Sequence, residues 1–141
     1  MQLRNVLIVV SDIEKSKRFY TQLFGLQVLA DFGSNIILSE GLVLQEKEAW
    51  ETLLGTSAGF GGNQSELYFE ENAMEAFVER LYSYEETVSI VNELQDQERW
   101  VIRIYDPDKH LIEVAESFEH AKRRKREYKD EGHRLDASLM F

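Results

Sequence analysis

Apolar residues recur along the first half of the chain with spacings that change from strand-like to helical. Residues 3–10 are rich in Val, Ile and Leu, which predicts a β-strand. Residues 13–24 carry apolar side chains near helical spacing, with Asp12 placed to cap the helix and Gly25 placed to end it. Short strand patterns follow at about 26–31, 34–39 and 41–46. The first half therefore predicts one strand, one helix and three strands.

The second half of the chain repeats this order after a connector. Residues 47–54 predict a short helix, and the glycine-rich stretch 55–62 predicts a loop. An alternating strand at 65–70 is followed by Asn72 and Glu75, which indicate a second helix start. Further strand patterns lie near 86–92, 99–105 and 110–115. The chain therefore predicts two βαβββ modules, at about 1–60 and 61–116.

The last segment, residues 117–141, predicts a charged helical tail. Its basic run Lys122–Arg126 resembles a nucleic-acid patch, but Glu119 and Glu127 each lie four residues from Arg123, as in a solvated helix. The side chains expected to face inward are Phe118, Ala121 and Tyr128. We therefore expect the tail to dock on the body or on a second subunit, with the basic run solvated.

A glutamate, Glu113, interrupts the apolar strand 111–115. A buried carboxylate is costly unless it is paired, hydrogen-bonded or bound to a metal. If residues 107–109 form a three-residue hairpin loop, Arg103 faces Glu113 on the neighbouring strand. The same alignment places four apolar residues on the opposite face, as strand alternation requires: Ile102, Ile104, Ile112 and Val114. We therefore predict an Arg103–Glu113 pair on a mixed polar face.

Composition limits the classes of partner. A chain of 141 residues fits one compact domain. The formal net charge of −10 disfavours nucleic acid or an anionic membrane as the main partner. Because residues 117–141 carry seven Lys/Arg and five Asp/Glu, residues 1–116 carry −12. No cysteine is present, so disulfides and thiolate metal sites are excluded.

The N-terminal sequence gives an expectation about location. The apolar run before Ser11 is too short for a signal core or a membrane span. We therefore expect a cytoplasmic protein that has no membrane partner.

Two groups of motifs, one early and one late, resemble those of a known superfamily. They are Asp12-Ile13, Ser16, Phe19-Tyr20, Leu23-Phe24-Gly25-Leu26 and Val28, then Tyr105-Asp106-Pro107-Asp108 and Ile112-Glu113-Val114. In these motifs the chain resembles the vicinal-oxygen-chelate superfamily, which contains glyoxalase I, bleomycin and fosfomycin resistance proteins and extradiol dioxygenases. The resemblance covers residues 1–116 as a single domain. It implies an α+β fold whose two paired βαβββ modules curl into a cupped mixed sheet, usually in a homodimer.

The resemblance also implies positions for metal ligands. In the superfamily's metalloenzymes the ligands come from the first and last strands of each module, and these positions fall on Asn5, Gln45, Glu66 and Glu113. Only Glu113 keeps the usual donor type, and amide oxygens are weak ligands for zinc, nickel or iron. Because Arg103 would also repel a cation, we expect no metal cofactor. If a divalent metal does bind, Glu66 and Glu113 are the expected ligands.

The three histidines do not change this expectation. His110 borders the hairpin turn and, by alternation, points away from the face of Glu113. His120 and His133 belong to the tail, where we expect exposed surface histidines.

The inner face of the implied cup is the predicted binding site for a small organic ligand, because apolar walls with a few convergent polar groups are typical of such pockets. Its polar members are Asn5, Gln45, Glu66, Tyr68, Arg103, Tyr105 and Glu113. Three alternatives stay open. One is a metal-dependent lyase or isomerase resembling glyoxalase I, in which Glu66 or Glu113 also exchanges a substrate proton and Glu113 is the catalytic candidate. The others are a module that sequesters a cationic guest, and an ion pair that only fills a cup without chemistry.

Overall fold

The computed structural model describes residues 1–139, with side chains to Lys129, so His133 lies outside the described side chains. The first module contains β1 (Val6–Val10), α1 (Ile13–Arg18) with a π-helical turn (Phe19–Leu23), β2 (Val28–Asp31), β3 (Asn35–Leu38), β4 (Leu42–Glu46) and α2 (Lys47–Leu54). The second contains β5 (Glu66–Glu71), α3 (Met74–Ser83), β6 (Ser89–Gln95), β7 (Trp100–Tyr105) and β8 (Leu111–Glu116). The last helix is α4 (Phe118–Leu139).

The strands form two four-stranded sheets with the same topology. Their orders are β1-β4-β3-β2 and β5-β8-β7-β6. In each sheet the first and last strands of the module pair in parallel, and the other neighbours are antiparallel. The predicted α+β fold of two βαβββ modules with a C-terminal helix is confirmed.

The hairpin between β7 and β8 has the predicted geometry. The amide of Asp106 donates to the carbonyl of His110 at 3.0 Å, and the amide of Lys109 donates to the carbonyl of Asp106 at 3.1 Å. Lys109 has φ 66°, the left-handed conformation expected at the end of such a loop. In the resulting register Arg103 lies opposite Glu113.

The outer faces of both sheets pack beneath the helices as one core. The strand side chains in this core include Ile8, Val10, Ile36, Leu38, Leu42, Leu44, Ile102, Ile104, Ile112 and Val114. The helices contribute Phe19, Tyr20, Leu23, Met74, Phe77 and Leu81. Val6, the first residue of β1, is 49% exposed.

Two buried aspartates of the hairpin tie the modules together. Asp106 accepts hydrogen bonds from the Tyr20 hydroxyl at 2.7 Å and from the amide of His110 at 2.8 Å. Asp108 accepts from the amide of Ser11 at 3.0 Å. Burial raises the pKa of Asp106, although these hydrogen bonds oppose the rise. The hairpin is thus anchored to the first module through polar groups inside the protein.

The tail does not dock as the sequence predicts. Phe118 is 72% and Tyr128 is 59% exposed, so the expected apolar contact is wrong. Instead His120 is buried, with Nδ1 2.6 Å from an oxygen of Glu116 and Nε2 2.6 Å from an oxygen of Glu75. The expectation of a surface histidine is therefore also wrong. Two carboxylates at hydrogen-bond distance make this position favourable for an imidazole.

The basic run of α4 takes part in the same docking. Arg124 forms a bidentate contact with Glu116, at 2.9 and 2.6 Å, and Arg123 donates to the carbonyl of Asn72 at 2.7 Å. The run is thus not simply solvated. Asn72 also does not start α3, because the N-terminal cap is Ala73 and no side chain caps the helix.

No helix in the described part of the chain combines the length and the apolar character that crossing a bilayer requires.

Candidate ligand-binding site

A polar row crosses the inner face of the second sheet. Tyr68 on β5 lies beside Glu113 on β8, Glu113 lies beside Arg103 on β7, and Arg103 lies beside Asn92 on β6. Paired residues on neighbouring strands point to the same face and stand about 5 Å apart. Four strands therefore bring one phenol, one carboxylate, one guanidinium and one amide into contact range of each other.

An ion pair forms the centre of this row. Nη2 of Arg103 lies 2.7 Å from Oε1 of Glu113, and Nη1 donates to Oδ1 of Asn92 at 3.0 Å. The Glu113 side chain is 10% exposed, whereas that of Arg103 is 32% exposed. The predicted Arg103–Glu113 pair is confirmed. Contacts on two sides fix the plane of the guanidinium, which is the donor geometry that recognises oxygen acceptors.

The second oxygen of Glu113 is not fully buried, although the side chain as a whole is only 10% exposed. The ion pair uses Oε1, and no other side-chain hydrogen bond from the described residues reaches this carboxylate. Among the described side chains, Ser16 Oγ is the one buried polar atom that lacks a hydrogen-bond partner. Oε2 of Glu113 is therefore not sealed inside the protein. A ligand on the inner face can donate a hydrogen bond to it.

Tyr68 supplies a protonated phenol beside this carboxylate. It is 54% exposed, and its hydroxyl lies 3.4 Å from an oxygen of Glu70. Partial desolvation and the negative charges of Glu70 and Glu113 raise the pKa of Tyr68, so the hydroxyl keeps its proton at neutral pH. The half-exposed ring offers an aromatic surface next to the ion pair.

The neighbouring row of the same face contains Glu66, Leu111, Tyr105 and Ser89. Glu66 is exposed, and the Tyr105 hydroxyl donates to Oδ1 of Asn63 at 2.7 Å. The structure thus places Glu66, Tyr68, Arg103, Tyr105 and Glu113 on one continuous face, as the sequence predicts.

The two site residues predicted in the first module lie apart. Gln45 pairs with Val9 on β1, and its Oε1 accepts a hydrogen bond from the side-chain Nδ2 of Asn35 at 2.9 Å. Asn5 stands four residues before Val9, which is about 13 Å along a strand. The structure therefore does not bring Asn5 to Gln45.

Two polar residues of the inner face, Asn92 and Asn35, are not predicted from the sequence. Asn92 is missed because the pairing of β6 with β7 shifts between Ile90 and Asn92, so simple alternation does not assign its face. Asn35 is the first residue of a short strand and gives no signal by itself. The sequence signal for Asn92 and Asn35 is indirect: because Arg103 and Gln45 are polar, polar residues are expected opposite them on the neighbouring strands.

These donors do not fit a transition-metal ion. Among the residues that the structure describes, no group of three or more His, Asp or Glu side chains is arranged to hold a metal. The guanidinium of Arg103 occupies Oε1 of Glu113 and places a positive charge where a cation would sit. Gln45 is engaged by Asn35 and offers a neutral amide.

A comparison with protein families matches residues 3–119 to a family described as a Glyoxalase-like domain. Comparison with curated protein sequences finds no significant match.

Solved structures with the same fold include three proteins from bacteria. A protein of unknown function from Agrobacterium tumefaciens str. C58 is 35% identical with a TM-score of 0.72, over 84% of this chain and 95% of that chain. A glyoxalase/bleomycin resistance protein/dioxygenase family enzyme from Burkholderia phytofirmans PsJN is 18% identical with a TM-score of 0.66, over 82% and 98%. A lactoylglutathione lyase from Agrobacterium tumefaciens is 16% identical with a TM-score of 0.60, over 80% and 91%. The last two likenesses concern the fold alone.

Proposed function

We propose that this chain, which belongs to the glyoxalase-like domain family, binds a small organic molecule on the inner face of its second module. The family match confirms the resemblance that the sequence motifs predict. The molecule lies against the row of Tyr68, Glu113 and Arg103 and is bound without a transition metal.

The observation that carries the proposal is the half-open ion pair. Arg103 holds Glu113 in place through one oxygen, while the other oxygen remains available to a ligand donor. A positioned carboxylate of this kind forms charge-assisted hydrogen bonds, which are stronger than neutral ones. Tyr68 adds a protonated hydroxyl and a ring face beside it.

The charges around the row favour a ligand that is neutral or cationic. Glu66, Glu70 and Glu113 contribute three carboxylates, and Arg103 and Arg99, whose charge also influences Tyr68, contribute two guanidinium groups. An anionic guest would face an excess of negative charge, whereas a protonated amine can donate to Glu113 and rest on the ring of Tyr68.

A metal-dependent lyase is the second candidate function, but no observation on this face favours it. Such an enzyme would need Glu66 and Glu113 as ligands, and Arg103 neutralises one of them. Binding alone, or chemistry that does not use a metal, agrees better with this donor set.

We further propose that the protein works as a homodimer. Apolar side chains are exposed on the outermost strands of both sheets, including Leu29 at 64% and Leu94 at 45%, and Phe32 beside β2 is 70% exposed. Edge strands with exposed apolar residues are suited to contact with another copy. Sedimentation equilibrium of the full chain measures this, and a monomer at all concentrations would refute it.

The binding proposal is tested by amide NMR titration of the full chain with a matched ligand set: cinnamylamine, cinnamyl alcohol and cinnamate. The amine is expected to shift signals of β5, β7 and β8 around Tyr68, Arg103 and Glu113. Glu113→Gln should weaken amine binding by about tenfold, since a charge-assisted contact is lost. The control Glu48→Gln, on an exposed residue of α2, should bind as the parent does. Shifts confined to other surfaces, or an unchanged affinity in Glu113→Gln, would overturn the proposal.

A further inference from the structure

A cavity of about 930 Å³ lies at the end of the second sheet, away from the ion pair. Its walls come from α1, the glycine-rich connector, the loop before β6 and the β7–β8 hairpin. Neither Arg103 nor Glu113 lines it, and Tyr105 belongs both to this wall and to the inner face. The volume is in the range of small-molecule sites.

Aromatic side chains form much of the wall. They are Phe19, Phe60, Tyr84 and Tyr105. The Phe60 ring, on the connector, is 36% exposed and meets the imidazole of His110 edge-on at 6.2 Å. The Tyr105 hydroxyl donates to Asn63 at 2.7 Å and so ties the connector to β7. The cavity therefore presents flat surfaces that suit a planar aromatic group.

The acidic groups of the wall already have partners within the protein. Asp106 is 4% exposed, and its oxygens accept hydrogen bonds from the Tyr20 hydroxyl and from the backbone amides of Asp108 and His110. Glu86 lies 3.6 Å from Nζ of Lys15 and 4.0 Å from Nη2 of Arg18. Glu86 therefore has cationic partners, and the oxygens of Asp106 are occupied by hydrogen-bond donors.

Among the charged residues of the cavity wall, Lys109 has no ion-pair partner in the described part of the chain. It lines the cavity, and none of the described residues places a carboxylate oxygen within 4.0 Å of its ammonium group. Lys15, the other lysine of the wall, already has Glu86 as partner. The cavity thus combines aromatic walls with one ammonium group that has no counter-ion.

The backbone of Lys109 supports a role for its side chain. The residue has φ 66°, a conformation that favours glycine or asparagine over other residues because Cβ clashes with the backbone there. The turn itself gains nothing from lysine at this position. Unfavourable backbone conformations cluster at functional sites, so the conformation of Lys109 supports a functional role for the charged group that it places at the cavity.

We propose that this cavity is a second binding site, which takes a planar aromatic molecule with a single carboxylate. The ring lies between the walls formed by Phe60 and Tyr105, and the carboxylate pairs with Lys109. One ammonium group balances one carboxylate, whereas a phosphate dianion would need more donors. The expected charge is opposite to that of the inner-face ligand, so the two sites are distinguished by one ligand set.

The experiment compares binding of cinnamate, cinnamyl alcohol and cinnamylamine to the full chain by calorimetry, with amide NMR to locate each site. Cinnamate is expected to shift signals of the hairpin, the connector and residues 84–89, and to bind more tightly there than the alcohol or the amine. Lys109→Asn should weaken cinnamate binding by about tenfold, because asparagine tolerates the left-handed backbone but carries no charge. Lys109→Arg should retain it.

The first module provides a matched control. Glu40 also has a left-handed backbone, with φ 63°, and does not line this cavity. Glu40→Asn should therefore leave cinnamate binding unchanged. If Lys109→Asn does not fold, Lys109→Gly is the second variant, because glycine suits the same turn position. Cinnamate binding that survives both substitutions, equal binding of the amine at these residues, or no cinnamate binding up to its solubility would each overturn the proposal.

Discussion

Replacing Arg103 by Ala should destabilise the protein more than its surface position suggests. The guanidinium is one-third exposed, but the carboxylate it holds at 2.7 Å is 10% exposed. Truncating the arginine leaves Glu113 beside apolar neighbours without its counter-ion. An unpaired group of this kind costs more than the pair itself contributes, because its desolvation is no longer compensated.

The expected loss of stability depends on which of the two charges is buried. Arg103→Ala should cost about 1–3 kcal/mol more than the double change Arg103→Ala with Glu113→Gln, since the neutral amide tolerates the site without a cation. For a chain of this length the excess corresponds to a difference in melting temperature of about 2–4 °C for each kcal/mol. The single variant is therefore expected to be less stable than the double variant.

The assay is a double-mutant cycle by urea and thermal unfolding at neutral pH, with Glu113→Gln as the fourth corner. A second cycle on Lys125 and Glu98 supplies the control. That pair has a similar separation, 2.9 Å, but its side chains are 43% and 80% exposed. It should couple by at most about 1 kcal/mol, as solvated pairs do. If the losses at Arg103 and Glu113 simply add, or if the exposed pair couples as strongly, the reasoning about burial is refuted.

Three further results are expected. Nickel, zinc or ferrous iron should not raise the melting temperature, whereas a tight site would stabilise by about 2.7 kcal/mol at a hundredfold excess over its dissociation constant; one tightly bound ion per chain would contradict this. Burial alone would raise the pKa of Glu116, but hydrogen bonds from Arg124 and His120 outweigh burial and lower it below the ordinary 4.5. The stability that Glu116 contributes is therefore complete above that ordinary value and is lost as the pH falls through the folded pKa. Glu116→Gln should accordingly flatten the acid side of a plot of melting temperature against pH. An unchanged plot would show that the contact does not contribute to stability. Truncation after Glu116 should preserve the fold, seen as an unchanged set of sheet signals, but lower the melting temperature, and equal stability would mean that α4 only rests on the surface.

The order of helices and strands along the chain and the register of the β7–β8 hairpin are predictable because they depend on local patterns. Alternation assigns Ile102, Ile104, Ile112 and Val114 to one face, and a three-residue loop leaves a single alignment that satisfies it. Slipping by one residue would turn the apolar set to the opposite face. The contact between Arg103 and Glu113 follows from the same constraint, without knowledge of the rest of the fold.

The tail contacts are not predictable in this way, because they join distant parts of the chain. His120 reaches Glu75, which is 45 residues away in sequence, and Arg124 reaches Glu116 at the end of β8. A charged helix with few apolar residues normally indicates a solvated surface. Here polar groups rather than apolar ones form the contact, so hydrophobic patterning assigns the wrong face and selects Phe118 instead of His120.

A comparison of corresponding strand pairs in the two modules bears on the proposed role of the charged residues on the inner face. Corresponding strand pairs contain Asn35 opposite Gln45 in the first module and Arg103 opposite Glu113 in the second. The first pair joins the strands through one neutral hydrogen bond at 2.9 Å, which shows that this fold does not require ions there. Well-packed apolar residues often replace a buried ion pair at little or no cost to stability. The comparison of the two modules therefore supports the proposal that the ion pair of the second module serves to orient a carboxylate for a ligand.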